Sequence, residues 1–491
     1  MDSALFSVFN IRPCISKTQG TKWTLEGFKM GQNLFESLDR LLLGRLLTYE
    51  ELSKVAKTHK IDLSQYLGRL HSKEAIIRTA SSLCCCRCNN QNHEYFAYLP
   101  QDDSAYCLAC LQMGRVAEGD RLYSLKDPSE LLMEPSASFL SWDGSLSKEQ
   151  SRASKDLIDS LTASHQIHMV HAVTGAGKTE MIFPVINHVL GRSGRVCIAS
   201  PRIDVCLELY PRLQEAFKEV DVTLLYGGSE EVYRYSHLVI ATTHQLLRFK
   251  EAFDLLIVDE VDAFPYVDDE GLHYATQRAV KTQGKLVYLT ATPDKALNKG
   301  VDQGDITTTI LPARYHRHPL PEPVFRWIGD WRQQINKRQK RKLYQLIQAF
   351  IKIPGVHLLF MPNIELAEQL FAWLKTDNPE LGIEVVHSKE PMRKQKVQAL
   401  RDGEYHTLIS TTILERGVTF TNCHVCIIGS ESNLYNSSAL VQMSGRVGRR
   451  PDYPNGSLIY AHYGKSQSML EARQQIQAMN KKAYEWGLID G

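Results

Sequence analysis

The sequence predicts an α/β protein with two parallel-sheet domains in tandem, preceded by a helical N-terminal region and a small four-cysteine module. Two sets of short apolar segments, six between residues 168 and 290 and five between residues 356 and 462, alternate with helical stretches. This alternation is typical of parallel strands joined by crossover helices. A proline-rich segment between the sets indicates a hinge. The predicted divisions are residues 1–80 (helical region), 81–125 (cysteine module), 126–310 (first α/β domain) and 311–491 (second α/β domain).

Composition and charge are those of a soluble globular protein. The length of 491 residues corresponds to roughly three domains, and the hydrophobic and charged fractions of 43% and 23% are ordinary. The net charge of +2 excludes a histone-like basic protein but is compatible with local nucleic-acid-binding patches. Because no apolar run approaches the roughly 20 residues of a spanning helix and no secretory signal is present, we expect a cytoplasmic protein without a transmembrane segment.

The N-terminal region has helical periodicity without recognisable chemistry. Thr48 and Glu51 have the spacing of a capping box, in which two side chains satisfy backbone N–H groups at the start of a helix. A leucine-rich stripe precedes them at residues 41–47. We interpret this region as a packing or partner-binding element.

The cysteine cluster has the spacing of a metal site. Cys85 and Cys88 form one C-x2-C pair and, after 18 intervening residues, Cys107 and Cys110 form a second. Two such pairs are typical of a tetrahedral structural Zn²⁺ site, because each pair bends the chain so that two thiolates face one ion. A shifted register would use other nearby side chains, namely Cys84, Cys86, Asn89 or His93.

A glycine-rich loop follows the first apolar segment of the first α/β domain and opens a helical stretch. Its sequence, AVTGAGKT at residues 172–179, is that of a phosphate-binding loop, in which small residues let backbone N–H groups point at phosphate oxygens. In this pattern Lys178 reaches the β- and γ-phosphates and Thr179 supplies a hydroxyl to Mg²⁺. The residues predicted to bind ATP are therefore Thr174, Gly175, Gly177, Lys178 and Thr179.

Carboxylates and arginines complete the predicted catalytic groups. Asp259 and Glu260 end an apolar segment, where the carboxyl edge of a parallel sheet binds ligands. We expect Asp259 to hold Mg²⁺ and Glu260 to orient or deprotonate the attacking water. In QMSGRVGR, residues 442–449, Arg446 and Arg449 share one helical face. Opposite a bound nucleotide, they would neutralise charge on the transferring phosphoryl group.

Taken in this order, the motifs resemble those of superfamily 2 nucleic-acid helicases and translocases. The likeness extends to SPR (200–202), TTHQ (242–245), TAT (290–292), TT (411–412) and ERGVT (415–419). It implies two RecA-like domains that clamp one ATP between them. On this resemblance, Lys178 and Asp259 act from one side of the nucleotide and the two arginines act from the other.

The resemblance also assigns individual residues. It places Gln150 at the adenine and adds Gln442 to the catalytic set. It implies contacts to the phosphates of single-stranded DNA, which are sequence-tolerant and salt-sensitive. The residues implied in these contacts are Arg202, Thr243, His387, Thr412 and Thr419. The basic stretch at residues 332–342 is either a further DNA contact or a solvated helix face.

A four-cysteine module directly before the first motor domain, followed by SPRIDV, DEVD and TTILERGVTF, resembles the ComFA family. This resemblance implies an ATPase that drives incoming single-stranded DNA in naturally competent Gram-positive bacteria. It implies partners such as ComFC and the membrane DNA channel, with docking at the inner face of the membrane, and it is compatible with an oligomer. Two alternatives remain: a primosomal replication-restart or repair helicase, and an ATP-gated DNA clamp or scaffold that does not translocate.

Overall fold

The computed structural model describes residues 37–126, 136, 138–229, 233–415 and 420–489. These residues form two compact units. The first unit contains the described residues up to Val170 together with Thr179–Thr309. The second contains His171–Lys178 and the described residues from Ile310 onward.

The N-terminal part of the first unit is a layer of helices and short strands. Its elements are α1 (Ser37–Leu42), β1 (Leu46–Thr48), α2 (Tyr49–Thr58), β2 (His71–Glu74), β3 (Ile76–Arg78), β4 (Leu83–Cys85), β5 (Phe96–Tyr98), β6 (Ala105–Cys107) and β7 (Arg121–Ser124). The predicted capping box is present at the start of α2, where the Thr48 N–H donates to the Glu51 carboxylate at 3.0 Å. Strand β7 follows the cysteine module and lies between β1 and β2, pairing with both in the antiparallel sense.

A seven-stranded sheet lies at the core of the first unit. Its strands are β8 (Ile167–Ala172), β9 (Val196–Ser200), β10 (Val222–Leu225), β11 (Leu238–Thr242), β12 (Phe253–Asp259), β13 (Val280–Thr290) and β14 (Ile306–Leu311). The order is β10-β11-β9-β12-β13-β8-β14, and the pairs from β10 to β13 are parallel. Strands β9 and β11 are buried along their whole length, as parallel strands covered on both faces require.

Helices connect and cover the strands of this sheet. They are α3 (Lys148–Ser160), α4 (Lys178–Met181), α5 (Phe183–Leu190), α6 (Ile203–Ala216), α7 (Glu270–Ala279) and α8 (Lys295–Asp302). A 3₁₀ helix, Thr243–Arg248, follows β11 directly. Helix α3 begins at a second capping box, formed by Ser147 and Gln150.

The second unit is built on a six-stranded parallel sheet of order β15-β20-β19-β16-β18-β17. The strands are β15 (Val324–Trp327), β16 (Val356–Phe360), β17 (Ile383–Val386), β18 (Thr407–Ser410), β19 (Cys423–Ile428) and β20 (Leu458–His462). The helices are α9 (Trp331–Asn336), α10 (Lys342–Phe350), α11 (Ile364–Asp377), α12 (Arg393–Arg401), α13 (Ser437–Ser444) and α14 (Gln467–Glu485). In the described part of the chain, no helix has the length and apolar character needed to cross a membrane.

The predicted fold class is confirmed, and both sheets contain all of their predicted strands. The prediction missed β14 and β15, each of which is one of the two edge strands of its sheet. Strand β14 has three consecutive threonines, and β15 is largely exposed. An edge strand needs less apolar sequence than a central strand, so neither segment has a strong strand pattern.

Charged side chains hold the N-terminal part against the seven-stranded sheet and its helices. The Glu51 carboxylate on α2 accepts from Arg87 of the cysteine module at 2.8 Å and from Arg248, after β11, at 2.7 Å. The Arg87 side chain is fully buried. Arg278 on α7 donates to the carbonyl oxygens of Cys86 and Arg87. Because buried charges are stable only when paired, these contacts join α2, the cysteine module and the sheet into one body.

Replacing Glu51 should destabilise the first unit. In Glu51→Gln, Arg87 and Arg248 lose their counter-charge, and we expect the free energy of unfolding to fall by about 3 kcal/mol. Burial alone would raise the pKa of Glu51, but Arg87 and Arg248 lower it below its ordinary value of 4.5. The contribution of Glu51 is therefore complete above pH 4.5 and is lost as the pH falls through the lower folded-state pKa. Urea unfolding at neutral and acidic pH measures both effects.

Glu50→Gln is the matched control, because Glu50 is the neighbouring residue of α2 and is exposed. This variant should unfold like the wild-type protein. An equal loss of stability in the two variants would contradict the role assigned to the Glu51 ion pairs.

Candidate active site

The glycine-rich loop joins the end of β8 to the start of α4. Gly175 and Gly177 have φ values of 84° and 76°, in the left-handed region that residues with a Cβ disfavour. Lys178 is the first residue of α4, and Thr179 is the second. The local structure is therefore the strand–loop–helix arrangement in which backbone N–H groups and a helix N-terminus can surround a phosphate.

A buried arginine that the sequence analysis did not identify supports this loop within the second unit. The Arg314 guanidinium donates from Nε to the carbonyl oxygen of Thr174 at 3.2 Å, and from Nη1 to that of Gly448. Burial, together with the Arg449 cation, lowers the pKa of Arg314 to about 9. Arg314 thus joins the phosphate-binding loop to the segment that carries the predicted catalytic arginines.

The predicted arginines follow α13. Arg446 is 1% exposed and donates from Nε to the carbonyl oxygen of Glu415 at 3.1 Å. Arg449 donates from Nε to the carbonyl oxygen of Gly445 at 2.9 Å. Gly445 has no room for a side chain, because a Cβ there would lie 2.1 Å from Thr174 Oγ1. The glycine therefore lets this segment approach the phosphate-binding loop closely.

The acidic motif lies at the carboxyl end of β12. Asp259 is the last residue of the strand, and the Glu260 N–H donates to Asp259 Oδ1 at 2.9 Å. Glu260 has a φ of 59°, which is a strained conformation for a residue with a side chain. Such strain persists only where surrounding structure imposes it, and it is common at active sites.

Asp262 links the acidic motif to the end of the neighbouring strand β13. Its buried carboxylate accepts hydrogen bonds from the Thr290 hydroxyl at 2.9 Å and the Thr292 hydroxyl at 2.7 Å. Hydrogen bonds to a buried carboxylate are stronger than neutral ones. Asp262, two residues after Glu260, therefore anchors the acidic motif to Thr290 and Thr292.

In the first unit, the residues predicted to bind adenine or the DNA strand are Gln150, Arg202 and Thr243. The Gln150 side chain accepts from the Ser147 N–H at 2.9 Å, so its carbonyl group caps α3. Arg202 is the N-cap residue of α6. Thr243 directly follows β11 and is fully buried. Their binding roles stay predictions.

The corresponding residues of the second unit lie after strands or on helices. His387 follows β17, is 7% exposed and contacts Glu368 with its Nε2 at 3.0 Å. Thr412 begins a 3₁₀ helix after β18, and Gln442 is buried in α13. Thr419 lies outside the described residues. These roles also stay predictions.

The four predicted metal ligands lie together in the first unit. The sulfur atoms of Cys85, Cys88, Cys107 and Cys110 are all within 4.8 Å of one another, and all four residues are buried. The Cys88–Cys107 distance is 3.6 Å and the Cys85–Cys110 distance is 3.8 Å, well beyond the roughly 2.05 Å of a disulfide. Of the alternatives left open by the sequence, Cys84, Cys86 and His93 are outside this group.

The donor set has the chemistry and spacing of a zinc site. Zn–S bonds of about 2.3 Å in a tetrahedron place sulfur atoms about 3.8 Å apart, which matches the two distances above. Hydrogen bonding with Cys107 and the other two sulfurs holds the pKa of Cys85 well below its ordinary value. Asn90 donates to Cys107 Sγ at 3.9 Å. The hydrogen bonds among the sulfurs raise the pKa values of Cys88 and Cys110, so Cys85 is the sulfur favoured as a thiolate, the form of cysteine that binds a metal.

Comparison with known proteins first defines the class. Residues 147–299 match the DEAD/DEAH box helicase family, and residues 339–451 match the helicase conserved C-terminal domain. The fold is similar to that of S. cerevisiae Dbp5 bound to RNA and ADP BeF3, with a TM-score of 0.50 and 14% identity over 70% of this chain and 92% of that chain. The protein is an ATPase of the helicase superfamily with two RecA-like domains.

The N-terminal part then identifies the family. Residues 32–124 match the competence protein ComFA N-terminal domain. The chain is 42% identical over 434 residues to competence protein ComFA of Bacillus subtilis (strain 168), covering 86% of this chain and 93% of the relative. It is 43% identical over 444 residues to ComFA of Streptococcus pneumoniae (strain ATCC BAA-255 / R6), covering 90% of this chain and 98% of the relative. The chain belongs to the ComFA family.

Thr292→Val should weaken both stability and ATP hydrolysis. The change keeps the shape of the side chain but removes a hydrogen bond to the buried Asp262 carboxylate. We expect unfolding free energy to fall by about 1.5–3 kcal/mol, with slower hydrolysis because the acidic motif loses an anchor. Thr276→Val is the control, since that buried hydroxyl donates to a neutral carbonyl within α7. Equal hydrolysis rates in the two variants would contradict the anchoring role.

Proposed function

We propose that this protein is an ATP-driven translocase that moves along single-stranded DNA and draws transforming DNA into naturally competent cells. The observation that carries the proposal is the presence of the helicase-type ATPase motifs and the ComFA N-terminal domain in one chain. The relatives that match most of this chain are named as competence proteins. The ATPase chemistry defines the energy source, and the family membership supports DNA uptake as the process.

In the proposed reaction, the glycine-rich loop binds the phosphates of ATP. Lys178 contacts the β- and γ-phosphates, and Thr179 and Asp259 hold Mg²⁺, which would neutralise phosphate charge. Glu260 orients or deprotonates the water that attacks the γ-phosphate. The positive φ values of the loop glycines and the place of Asp259 at a strand end support these roles.

The second half of the motif set supplies positive charge. We assign Arg446 and Arg449 to the transferring phosphoryl group, with Gln442 as a supporting residue. Both arginines are held by backbone carbonyl oxygens, so their guanidinium groups are already oriented. These interactions with ATP end when ATP is hydrolysed. Because a ligand shifts a protein between two states only through contacts that differ between them, hydrolysis would shift the protein to its other state.

The strand would be held mainly through its phosphates. We assign these contacts to four residues at the ends of strands or helices, Arg202, Thr243, His387 and Thr412, and also to Thr419. Phosphate contacts carry little sequence information, which suits a protein that must move along any incoming strand. We further propose operation at the inner face of the membrane with competence proteins such as ComFC and the membrane DNA channel.

Lys178→Ala should abolish ATP-driven movement while leaving strand binding intact. We expect ATP hydrolysis to fall by about 10²–10³-fold, the scale of losing one oriented charge-stabilising group. ATPase rates with single-stranded DNA, duplex DNA and RNA, together with the anisotropy of a labelled oligonucleotide, measure both properties. Lys57→Ala is the control because Lys57 is an exposed residue of α2. Wild-type turnover in Lys178→Ala would overturn the assignment.

Movement itself is tested by displacement of streptavidin from the biotinylated end of a single-stranded oligonucleotide. The wild-type protein should release the streptavidin only with ATP, and Lys178→Ala should not release it. ATP hydrolysis without displacement would instead indicate an ATP-gated clamp. Efficient unwinding of a forked duplex would indicate a restart or repair helicase.

We also propose that the four cysteines hold one structural Zn²⁺. Cys88→Ala should release the metal and lower the melting temperature, because metal binding free energy contributes directly to folding at such sites. Metal analysis and thermal unfolding measure these effects. Cys197→Ala is the control, since Cys197 is a fully buried cysteine of β9 outside the cluster. One zinc per chain retained in Cys88→Ala would contradict the assignment.

A further inference from the structure

A cavity of about 260 Å³ lies in the first unit, and its lining contains no residue of the phosphate-binding loop or of the four-cysteine cluster. Strands β2 and β7 form one side, and the segment that follows the 3₁₀ helix Thr243–Arg248 forms the other. Its lining includes Lys73, Lys126 and Lys250, together with His71 and Ser124. None of these residues belongs to the ATPase motifs or to the predicted DNA contacts.

The antiparallel register of β2 and β7 explains why these side chains converge. His71 pairs with Ser124, and Lys73 is two residues further along β2, so the three side chains lie on one face. Lys126 follows Ser124 by two residues in the sequence. Lys250 is fixed from the opposite side, because its backbone N–H donates to the Gly44 carbonyl oxygen at 2.9 Å.

The lining of the cavity contains three lysines and one carboxylate, that of Glu251, so its charge is net positive. In the described part of the chain, no ion pair involves Lys73, Lys126 or Lys250. The acidic residue of the lining, Glu251, accepts a hydrogen bond from the Thr282 hydroxyl at 3.4 Å. Three lysines against one carboxylate leave an excess of positive charge along the lining, which a bound anion would offset.

The environment of Lys73 shows the same excess of positive charge. Burial, followed by the Arg278 and Lys250 cations, lowers the pKa of Lys73 to about 8, and the nearby Cys86 and Cys85 side chains offset part of this shift. An anion bound beside Lys73 would offset this repulsion and restore the charged form. The cavity therefore favours a ligand with concentrated negative charge over a neutral one.

We propose that this cavity is a phosphate-binding site formed by Lys73, Lys126 and Lys250, with His71 and Ser124 as further hydrogen-bonding groups. Ammonium groups on flexible stems bind phosphate as point charges. The volume is below the roughly 300–1,000 Å³ of pockets for drug-sized ligands, so it suits one phosphate-bearing unit. The phosphate comes from free inorganic phosphate or from the backbone of a DNA strand. The second source rests on the proposed function, whereas the first does not.

Site-resolved lysine acetylation of the zinc-loaded wild-type protein tests the site directly. The protein is treated briefly with an amine-acetylating reagent, and each lysine is quantified by mass spectrometry with and without a competitor. The competitors are inorganic phosphate and a short oligo(dT), each compared with sodium chloride of equal ionic strength. At about ten times the dissociation constant, acetylation of the three lysines should slow about tenfold. Exposed Lys57 should be unaffected.

The two competitors distinguish the sources of the phosphate. Protection by inorganic phosphate alone would support a free-anion site, and protection by oligo(dT) would support a contact to the strand. Unchanged acetylation of the three lysines with both competitors, at the highest concentrations that leave Lys57 unaffected, would overturn the proposal. This outcome is separate from the proposed ATPase function, which is measured by hydrolysis and displacement.

A charge-removing variant adds a second, independent measurement. Lys250→Met should abolish protection of Lys73 and Lys126 by the competitor that protects them in the wild type. If the ligand is the DNA strand, the slope of log affinity against log salt should also become shallower by about 0.7, because one fewer strand phosphate is neutralised. Lys57→Met is the matched control. Unchanged protection in a folded, zinc-containing Lys250→Met protein would contradict the proposed site.

Discussion

Parallel pairing of β9, β11, β12 and β13 is the constraint on which the chemistry of the first unit depends. Because these strands run in one direction, their carboxyl ends meet at one edge of the sheet. Ser200 pairs with Thr242 at the ends of β9 and β11, and Asp259 pairs with Leu289 beside the end of β13. The SPR, TTHQ, DEVD and TAT motifs each begin at such an end. Local sequence supplies the reactive groups, and the sheet brings them together.

The central strands were predictable because burial on both faces demands nearly continuous apolar sequence, as in β12 and β19. The edge strands β14 and β15 were not, because β14 has three consecutive threonines and β15 is largely exposed. The opposite edge strands, β10 and β17, are mostly buried and apolar, and they were predicted. The capping box of α2 was also predictable, since both of its side chains are within one helical turn. Periodicity and local spacing therefore identified the elements with strong local constraints.

Functional and buried charged residues also differ in whether local sequence or tertiary packing determines them. Gly175 and Gly177 were identified from spacing alone because the loop conformation itself requires glycine. Arg314 could not be identified in this way, because it contacts Thr174, 140 residues away in the sequence. The sequence indicated the capping role of Glu51, but it did not indicate the ion pair of Glu51 with Arg248, which is 197 residues away. Those partners are chosen by tertiary packing, which no local pattern contains.

Strand β7 lies between β1 and β2, so the cysteine module is an insertion in the three-stranded sheet, with sheet strands both before and after it. During synthesis, neither β1 nor β2 has its sheet partner until residues 121–124 have left the ribosome. Closure of this sheet therefore follows synthesis of all four clustered cysteines. A truncation that removed β7 with the module would leave two unpaired strand edges, which are templates for aggregation.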